Sequence, residues 1–417
     1  MQKLVSFVID FWSYAFKGGP KYYSWLLFLS VFILVGLYTT YLQLTEGLIL
    51  IGATDQITWE LYISNFIFTA HVAAAAVLVV IPAYMYKRKD MKDLAVLGEI
   101  IALGFVTTGM VLVVYHVGRP DRLWHMIPSL GYFNFPNSML TFDVVVLTVY
   151  MILNLIAAYY LFYKRYVGEP LNKIFYTPLI YVAVAWGPLI HIITAAVLSS
   201  NARMHAWSTA VLPFAFLSMA GASGPAVIII IFLIIRKYTK LQIADSVIDL
   251  LSQIILWSLG ILMLVFAAEF FTALYPSTEH AASLKYSMFG HNGLNAYVPW
   301  FWSIMILIAG SFIALLNPKI RKSYDRFLPA VCAVIFLVIL LEKPYFLVFP
   351  AFSPSPLGEY TVYYPTFVEV SNVLFCWAYG FLVLTLTLKG AIGILTGEVT
   401  YTNRVPVSKE AAYAISP

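Results

Sequence analysis

The stretch Tyr115-His-Val-Gly-Arg-Pro-Asp-Arg-Leu-Trp-His-Met126 closes an apolar run, residues 94–117, that is long enough to cross a bilayer. Two histidines, two arginines and an aspartate therefore stand at the mouth of a membrane helix. Each such group costs roughly a few kcal/mol or more at that depth, so it faces a cavity, a partner or a substrate.

The rest of the chain has the same character. Of 417 residues, 61% are hydrophobic and 11% charged, where a soluble domain carries about 25% charge. Apolar runs of about 20 residues predict ten spans: 22–44, 58–86, 94–117, 139–163, 174–199, 208–236, 246–275, 299–316, 325–348 and 366–389. The chain reads as an all-α integral membrane protein with ten transmembrane helices. An even number of spans puts both termini on one side. All but five of the 25 Lys and Arg residues fall in the tails and the even-numbered loops, the exceptions being Arg119, Arg122, Arg203, Lys285 and Lys343. That bias predicts a multi-pass protein of the cytoplasmic membrane with both termini cytoplasmic. The net charge of +5 is then a topology signal and gives a nucleic-acid partner no support.

The spans suggest an organisation. Residues 1–20 carry Leu4, Val5, Phe7, Val8, Phe11, Trp12 and Ala15 at helical spacing before Gly18-Gly19-Pro20, an amphipathic segment lying in the interface. No small-residue cleavage site follows the first span, so this segment is expected to be retained. Trp59 opens one span that ends in Lys87-Arg88-Lys89, and Trp207 opens another that ends in Arg236-Lys237. A parallel repeat of two four-helix bundles accounts for this, at 58–207 and 208–348. Flanking helices would lie at 21–57 and within 349–417, which also holds an outer loop and a cytoplasmic tail. Gly221 and Gly224 read as a close helix–helix contact.

Three outer loops, 118–138, 276–298 and 349–365, are long and rich in Trp, Tyr, Phe, Pro and Asn. They read equally as a docking platform for a partner or as an aromatic belt at the bilayer interface. The two cysteines, Cys332 and Cys376, both fall inside spans, and there is no CxxC, CxxCH or phosphate-binding loop. No haem, iron–sulfur cluster or metal site is therefore expected in this chain. His191 and His205 are 14 residues apart, a spacing seen in b-type haem bundles, but no second pair accompanies them.

Polar residues toward the outer ends of the spans include Glu60, Tyr62, Asn65, His116, Arg119, Trp124, His125, Asp143 and Arg203. A quinone needs an apolar slot for its tail, hydrogen-bonding groups for its two oxygens and at least one group that titrates, a role suited to His. His116 with Asp143 as proton acceptor or orienting group is the preferred catalytic pair. Arg119, Asp121 and Arg122 read equally as a salt-bridge knot fixing the loop. The deeper His71, His191 and Glu269 are candidate proton-path members; their alternative is plain interhelical hydrogen bonding, worth about 0.6–2 kcal/mol each.

The run Gly118-Arg-Pro-Asp-Arg-Leu-Trp-His125, the turn Phe133-Asn-Phe-Pro-Asn-Ser-Met139 leading to Asp143, Arg203 with Trp207-Ser-Thr-Ala210, Glu269, and Tyr364-Pro-Thr366 with Glu369 resemble the polysulfide-reductase membrane-subunit, or NrfD-like, family. The ten-span form is most similar to the DsrP-type membrane subunit of sulfite-reduction-associated complexes. The resemblance implies a cofactor-free subunit that exchanges electrons between menaquinone or another quinone and an extracytoplasmic ferredoxin-like iron–sulfur partner. It also implies larger assemblies with a multihaem cytochrome c, a membrane cytochrome b and a cytoplasmic iron–sulfur protein. Carried over by position, the quinone pocket would use Tyr62, Asn65, His116, Arg119, Asp143 and Arg203, with Glu269 in the second bundle. Two departures matter: the family commonly has Asp where this chain has His116, and Glu-Arg where it has Glu342-Lys343. The rival classes are a proton-coupled secondary transporter, a haem-bearing cytochrome b and a purely structural anchor.

Overall fold

In lipid every backbone N–H and C=O has to be satisfied within the segment or by a neighbour, so apolar runs of this length become helices whatever their local propensity. The computed structural model, which describes residues 2–201, 203–276 and 280–401, has ten such helices among those residues: Pro20–Glu46, Leu61–Tyr84, Lys89–His116, Met139–Val167, Lys173–Ser199, Leu212–Tyr238, Asp245–Leu274, Val298–Leu316, Phe327–Phe352 and Phe367–Leu395. They are called spans one to ten below. The expected tail beyond 401, with Arg404 and Lys409, lies outside the described residues.

Local chemistry sets several ends. Pro20 opens span one at the position where its missing N–H costs nothing. The side chain of Asn172 accepts from the Ile174 amide at the start of span five, and Thr366 accepts from the Glu369 amide at the start of span ten. Span four ends at Gly168, whose φ of 78° needs a residue without a Cβ. Two spans are broken. Span two loosens at Ala75–Ala76. Span nine is α-helical over Phe327–Glu342, continues as a π turn over Lys343–Val348 and ends in a tight turn at Phe349–Phe352. Pro344 and Pro350 each remove a helical donor there.

Spans two, three, four and five pack in a ring, and spans six, seven, eight and nine form another. Span ten lies against the first ring, on spans two, three and four, and span one lies on span ten. Span two is the joint. It packs on spans three and five within its own ring, on spans six and nine of the other, and on span ten. Because lipid is as apolar as leucine, such contacts depend on small residues and close packing. A Cβ on Gly224 would stand 1.8 Å from the Cβ of Ala75 on span two, and one on Gly221 would stand 2.3 Å from Ser258 Oγ on span seven. The expected glycine contact thus joins span six to two different neighbours. The tryptophans that open the two halves, Trp59 and Trp207, stack on each other with centroids 4.9 Å apart.

The two ends of the described chain share one face, called here the terminal face; the long connections 118–138, 276–298 and 349–365 make the opposite, loop face. On the terminal face the helix Gln2–Ala15 docks Phe7 among Tyr159, Tyr163 and Tyr166, while Leu4, Val5, Val8, Ile9, Trp12 and Phe16 stay exposed.

One sequence expectation needs correction. Lys343 counts by sequence among the residues of the loop side, yet it is fully buried inside span nine. It belongs to the interior.

Gly224→Val should drive spans two and six apart and destabilise the fold by about 1–3 kcal/mol, the cost of overpacking a tight contact. Gly310→Ala, with nothing within 4 Å of the added Cβ, is the matched control. Thermal unfolding in detergent should separate the two; equal midpoints would show that the contact does not hold the bundles together.

Candidate functional site

The loop-face ends of spans one, two, three and ten meet in a polar network. Glu60 immediately precedes span two and His116 ends span three. The imidazole Nδ1 lies 2.7 Å and 3.0 Å from the two carboxylate oxygens of Glu60. Glu60 is buried, whereas 30% of the His116 side chain is exposed, so the imidazole is the accessible member of the pair. A carboxylate on Nδ1 fixes the tautomer and orientation of the ring and leaves Nε2 for a second partner. Beside it, Glu369 accepts from the Leu61 amide at 2.7 Å and from the Gly52 amide at 3.1 Å, and the Tyr363 hydroxyl donates to it. Burial and the adjacent Glu369 carboxylate hold the Tyr363 phenol far above its ordinary titration range, hence protonated. Glu369 thus binds the N-terminal turn of span two from the first turn of span ten, where helix dipoles favour an anion.

One layer deeper, Tyr62 donates to Gln43 Oε1 at 2.7 Å, and Asn372 Nδ2 donates to the same oxygen at 2.7 Å and to the Tyr62 hydroxyl at 3.1 Å. Thr39 donates to Asn372 Oδ1 at 2.6 Å. Gln43 Nε2 donates to the Tyr115 carbonyl at 3.0 Å, and Tyr115 shares a hydrogen bond with Thr40. Asn65 Oδ1 accepts from Trp377 Nε1 at 2.9 Å. Gly118, at φ 73°, lets the chain after His116 turn under Leu48, and Leu48, Ile49 and Val117 leave an exposed apolar rim.

The structure therefore brings Tyr62, Asn65 and His116 into one region but leaves other expected members out of it. His116 pairs with Glu60 and not with Asp143, which accepts from Thr194 of span five at 2.8 Å. Arg119 is bound in a fork to Asp121 at 2.9 and 2.8 Å, with side-chain exposures of 64% and 58%. Arg119 and Asp121 thus match the knot reading of that loop. Trp124 and His125 are exposed and stack on each other, centroids 3.8 Å apart. Arg203 is exposed and donates to the carbonyls of Asp55 and Gln56, holding the 52–59 segment. His205 sits in a turn after span five has ended at Ser199, so it shares no helix with His191.

A second set of groups runs through the membrane interior. His71 of span two and His191 of span five stack with centroids 5.0 Å apart. Among the described residues, His71 Nε2 and both ring nitrogens of His191 have no hydrogen-bond partner. Lys343 lies within electrostatic reach of both rings; its ammonium stands 2.7 Å from Glu342, 2.7 Å from Met219 Sδ and 4.8 Å from the centre of the Phe216 ring. Apart from that ion pair, no donor among the described residues reaches the Glu342 carboxylate. Glu269 of span seven is within electrostatic reach of Glu342. It lines a cavity of about 240 Å³ under the loop face, walled by Trp207, Phe346, Leu347 and the helix His280–Phe289. Trp207 Nε1 donates to the Leu347 carbonyl at 2.7 Å, which pins the π turn to this cavity. Toward the terminal face, Glu99 of span three is buried with Oε2 unpartnered, within electrostatic reach of Tyr84, Tyr150 and Tyr176. The hydroxyls of Tyr84 and Tyr176 are 3.2 Å apart, and Tyr150 donates to the Ala73 carbonyl at 3.1 Å.

Sequence reading misses Glu99, the Gln43–Asn372–Thr39 cluster and the interior place of Lys343. Glu99 was the one to find, as a single carboxylate inside an otherwise apolar stretch of span three.

Comparison with known proteins agrees with this architecture. The chain is 22% identical over 284 residues to one of the subunits of the selenate reductase of Mesobacillus selenatarsenatis, covering 60% of this chain and 65% of that one. It is 21% identical over 334 residues to the Hdr-like menaquinol oxidoreductase integral membrane subunit of Archaeoglobus fulgidus, 79% of each chain. To the menaquinone reductase integral membrane subunit of Nitratidesulfovibrio vulgaris it is 28% identical over 137 residues, 33% of this chain and 32% of that one. The chain thus spans less than two thirds of the first and third of these relatives. The family described as "Polysulphide reductase, NrfD" matches residues 49–353, from the turn ahead of span two to the end of span nine, and the chain belongs to that family.

Proposed function

We propose that this chain is the quinone-interacting membrane subunit of a respiratory redox complex, with the quinone head group at the Glu60–His116 pair. The observation that carries the reading is the partly exposed imidazole held on Nδ1 by a buried carboxylate. A quinol hydroxyl bound at Nε2 would give one proton to the imidazole as the two electrons leave for the iron–sulfur partner, the other hydroxyl would lose its proton to water, and the reverse steps would protonate a reduced quinone. The exposed rim of Leu48, Ile49 and Val117 suits the isoprenoid tail. Tyr62, Gln43 and Asn372 form the wall behind, with their hydrogen bonds satisfied among themselves. Two of the relatives are named for menaquinol or menaquinone, which favours menaquinone as the type.

On the positive-inside bias of its Lys and Arg residues, the loop face would lie on the outer side of the cytoplasmic membrane with both termini in the cytoplasm. The electron partner would be an iron–sulfur protein on the loop face, where Trp124, Tyr132, Phe289, Leu357 and Tyr364 are exposed. A multihaem cytochrome c, a membrane cytochrome b and a cytoplasmic iron–sulfur protein would complete the complex. Through the interior, Glu269, Glu342, Lys343, His71, His191 and Glu99 would serve as stepping stones for protons. Unpartnered buried polar atoms at His71, His191 and Glu99 favour exchange over static hydrogen bonding.

In the assembled complex, His116→Ala and Glu60→Gln should each lower quinone-dependent turnover by roughly 10²–10⁴-fold, the scale of a lost acid–base group, and weaken a fluorescent quinol analogue. Asp143→Asn should bind the analogue as the wild type does. Intact turnover in the first two variants would leave a structural anchor as the better account.

The relay is tested separately. Proteoliposomes holding the complex should move more protons per electron than the scalar ones, and Glu99→Gln should bring that ratio down to the scalar value. A wild type that moves only scalar protons, or a variant that keeps the full ratio, removes the relay from the mechanism.

A further inference from the structure

We infer that the cavity under the loop face in the second ring is a water-filled vestibule that puts Glu269 in proton exchange with the loop side, apart from the quinone site; this rests on the relay reading above. The cavity's polar lining decides what can occupy it. Thr272 donates its hydroxyl proton to the Glu269 carbonyl at 3.1 Å, Ser283 to the Ser353 carbonyl at 2.5 Å and Ser287 to the Ser283 carbonyl at 3.1 Å. Their donors are committed to backbone, so what remains on each is an acceptor lone pair. Ser208 and Thr209 also line the cavity and add hydroxyls, so with the Glu269 carboxylate the lining offers acceptors and donors together. Water, which both donates and accepts, finds several partners there.

The size fits a chain of waters. Roughly 10–15 Å³ of such space holds one water given two to four polar partners, against the 240 Å³ present.

The position completes the argument. Glu269 stands about one turn from the loop-face end of span seven, and on its inner side the next ionisable group within electrostatic reach is Glu342, paired with Lys343. Phe346 and Leu347, which line the cavity, belong to the π turn that begins at Lys343. A proton arriving from the loop side would protonate the Glu269 carboxylate, pass to Glu342 and free Lys343 from its ion pair, leaving Glu269 ionised again. Breaks of this kind in membrane helices are tolerated where they line a cavity. Neither Glu60, His116 nor Asp143 lines the cavity, so in this account outer proton access and quinone chemistry use different rings.

Silver ion, a small water-borne thiol reagent that does not cross lipid as the free cation, tests this in the full chain. Cys332 and Cys376 are buried and would be replaced by Ala, with Ser287→Cys introduced as the reporter. Silver nitrate in chloride-free buffer on the loop side of sealed vesicles should protect the Ser287→Cys thiol from alkylation after denaturation; silver on the terminal side should not. In the complex the same treatment should reduce proton translocation in the Ser287→Cys form and leave the Cys-free parent unaffected, while binding of the quinol analogue persists. A thiol alkylated equally with and without silver, in a chain whose thermal unfolding midpoint matches that of the Cys-free parent, would overturn the vestibule. So would protection from the terminal side alone. Loss of analogue binding in the His116 and Glu60 variants is a separate result, so the quinone reading and this one can fail independently.

Discussion

In lipid, burying an apolar side chain gains nothing over leaving it among the tails, so this fold depends on close approach and on polar bonds between helices. Span two concentrates both. Its middle runs Ala70, His71, Val72 and then four alanines, Ala73 to Ala76, and Gly224 of span six comes within a methyl group's reach of Ala75. The loop-face end of the same span is tied by its Leu61 amide to Glu369 and by Tyr62 to Gln43 and Asn372. Displacing this one helix would open the joint between the rings and disturb the polar network at the loop face together.

Spans one and ten read by sequence as flanking helices; span ten packs on the first ring and span one on span ten. Their polar side chains give them a further part. Thr39, Gln43, Glu369 and Asn372 lie outside the residues that match the family, 49–353, yet the first two and Asn372 make up the hydrogen-bond network around Tyr62 and Glu369 holds the neighbouring Leu61 amide. The redox site proposed here is therefore built at the seam between the family's common core and two added helices. The interior row of Glu269, Glu342, Lys343, His71 and His191 crosses the other seam, between the two rings. Ionisable groups inside a membrane are held at such seams because a helix junction supplies the partners that lipid cannot.

The spans are legible in the sequence because hydrocarbon leaves a chain few options: each apolar run becomes a helix with ends close to those the composition marks. Several members of the site are visible too, since Glu60, Tyr62, Asn65, His116 and Glu369 are polar residues in or beside apolar runs. Their pairing is not. Glu60 and His116 are 56 residues apart, and no spacing rule links the start of one span to the end of another, so sequence alone pairs His116 with Asp143 where the structure gives Asp143 to Thr194. Gln43, Thr39 and Asn372 carry no charge, and a neutral polar side chain in a span is too cheap to stand out. Lys343 falls to the loop side by sequence because counting charges treats a lysine near a span end as solvated, whereas the π turn keeps it inside, between Glu342, Met219 and Phe216.

The claim that the quinone head group sits at Glu60–His116 is tested most directly by photolabelling the membrane-embedded chain with an azido-quinone and mapping the adducts by mass spectrometry. The account predicts adducts on peptides around residues 43–65 and 113–119, suppressed by excess quinol. Adducts confined to the region of Asp143 and Thr194, or to the Glu269 cavity, would contradict it.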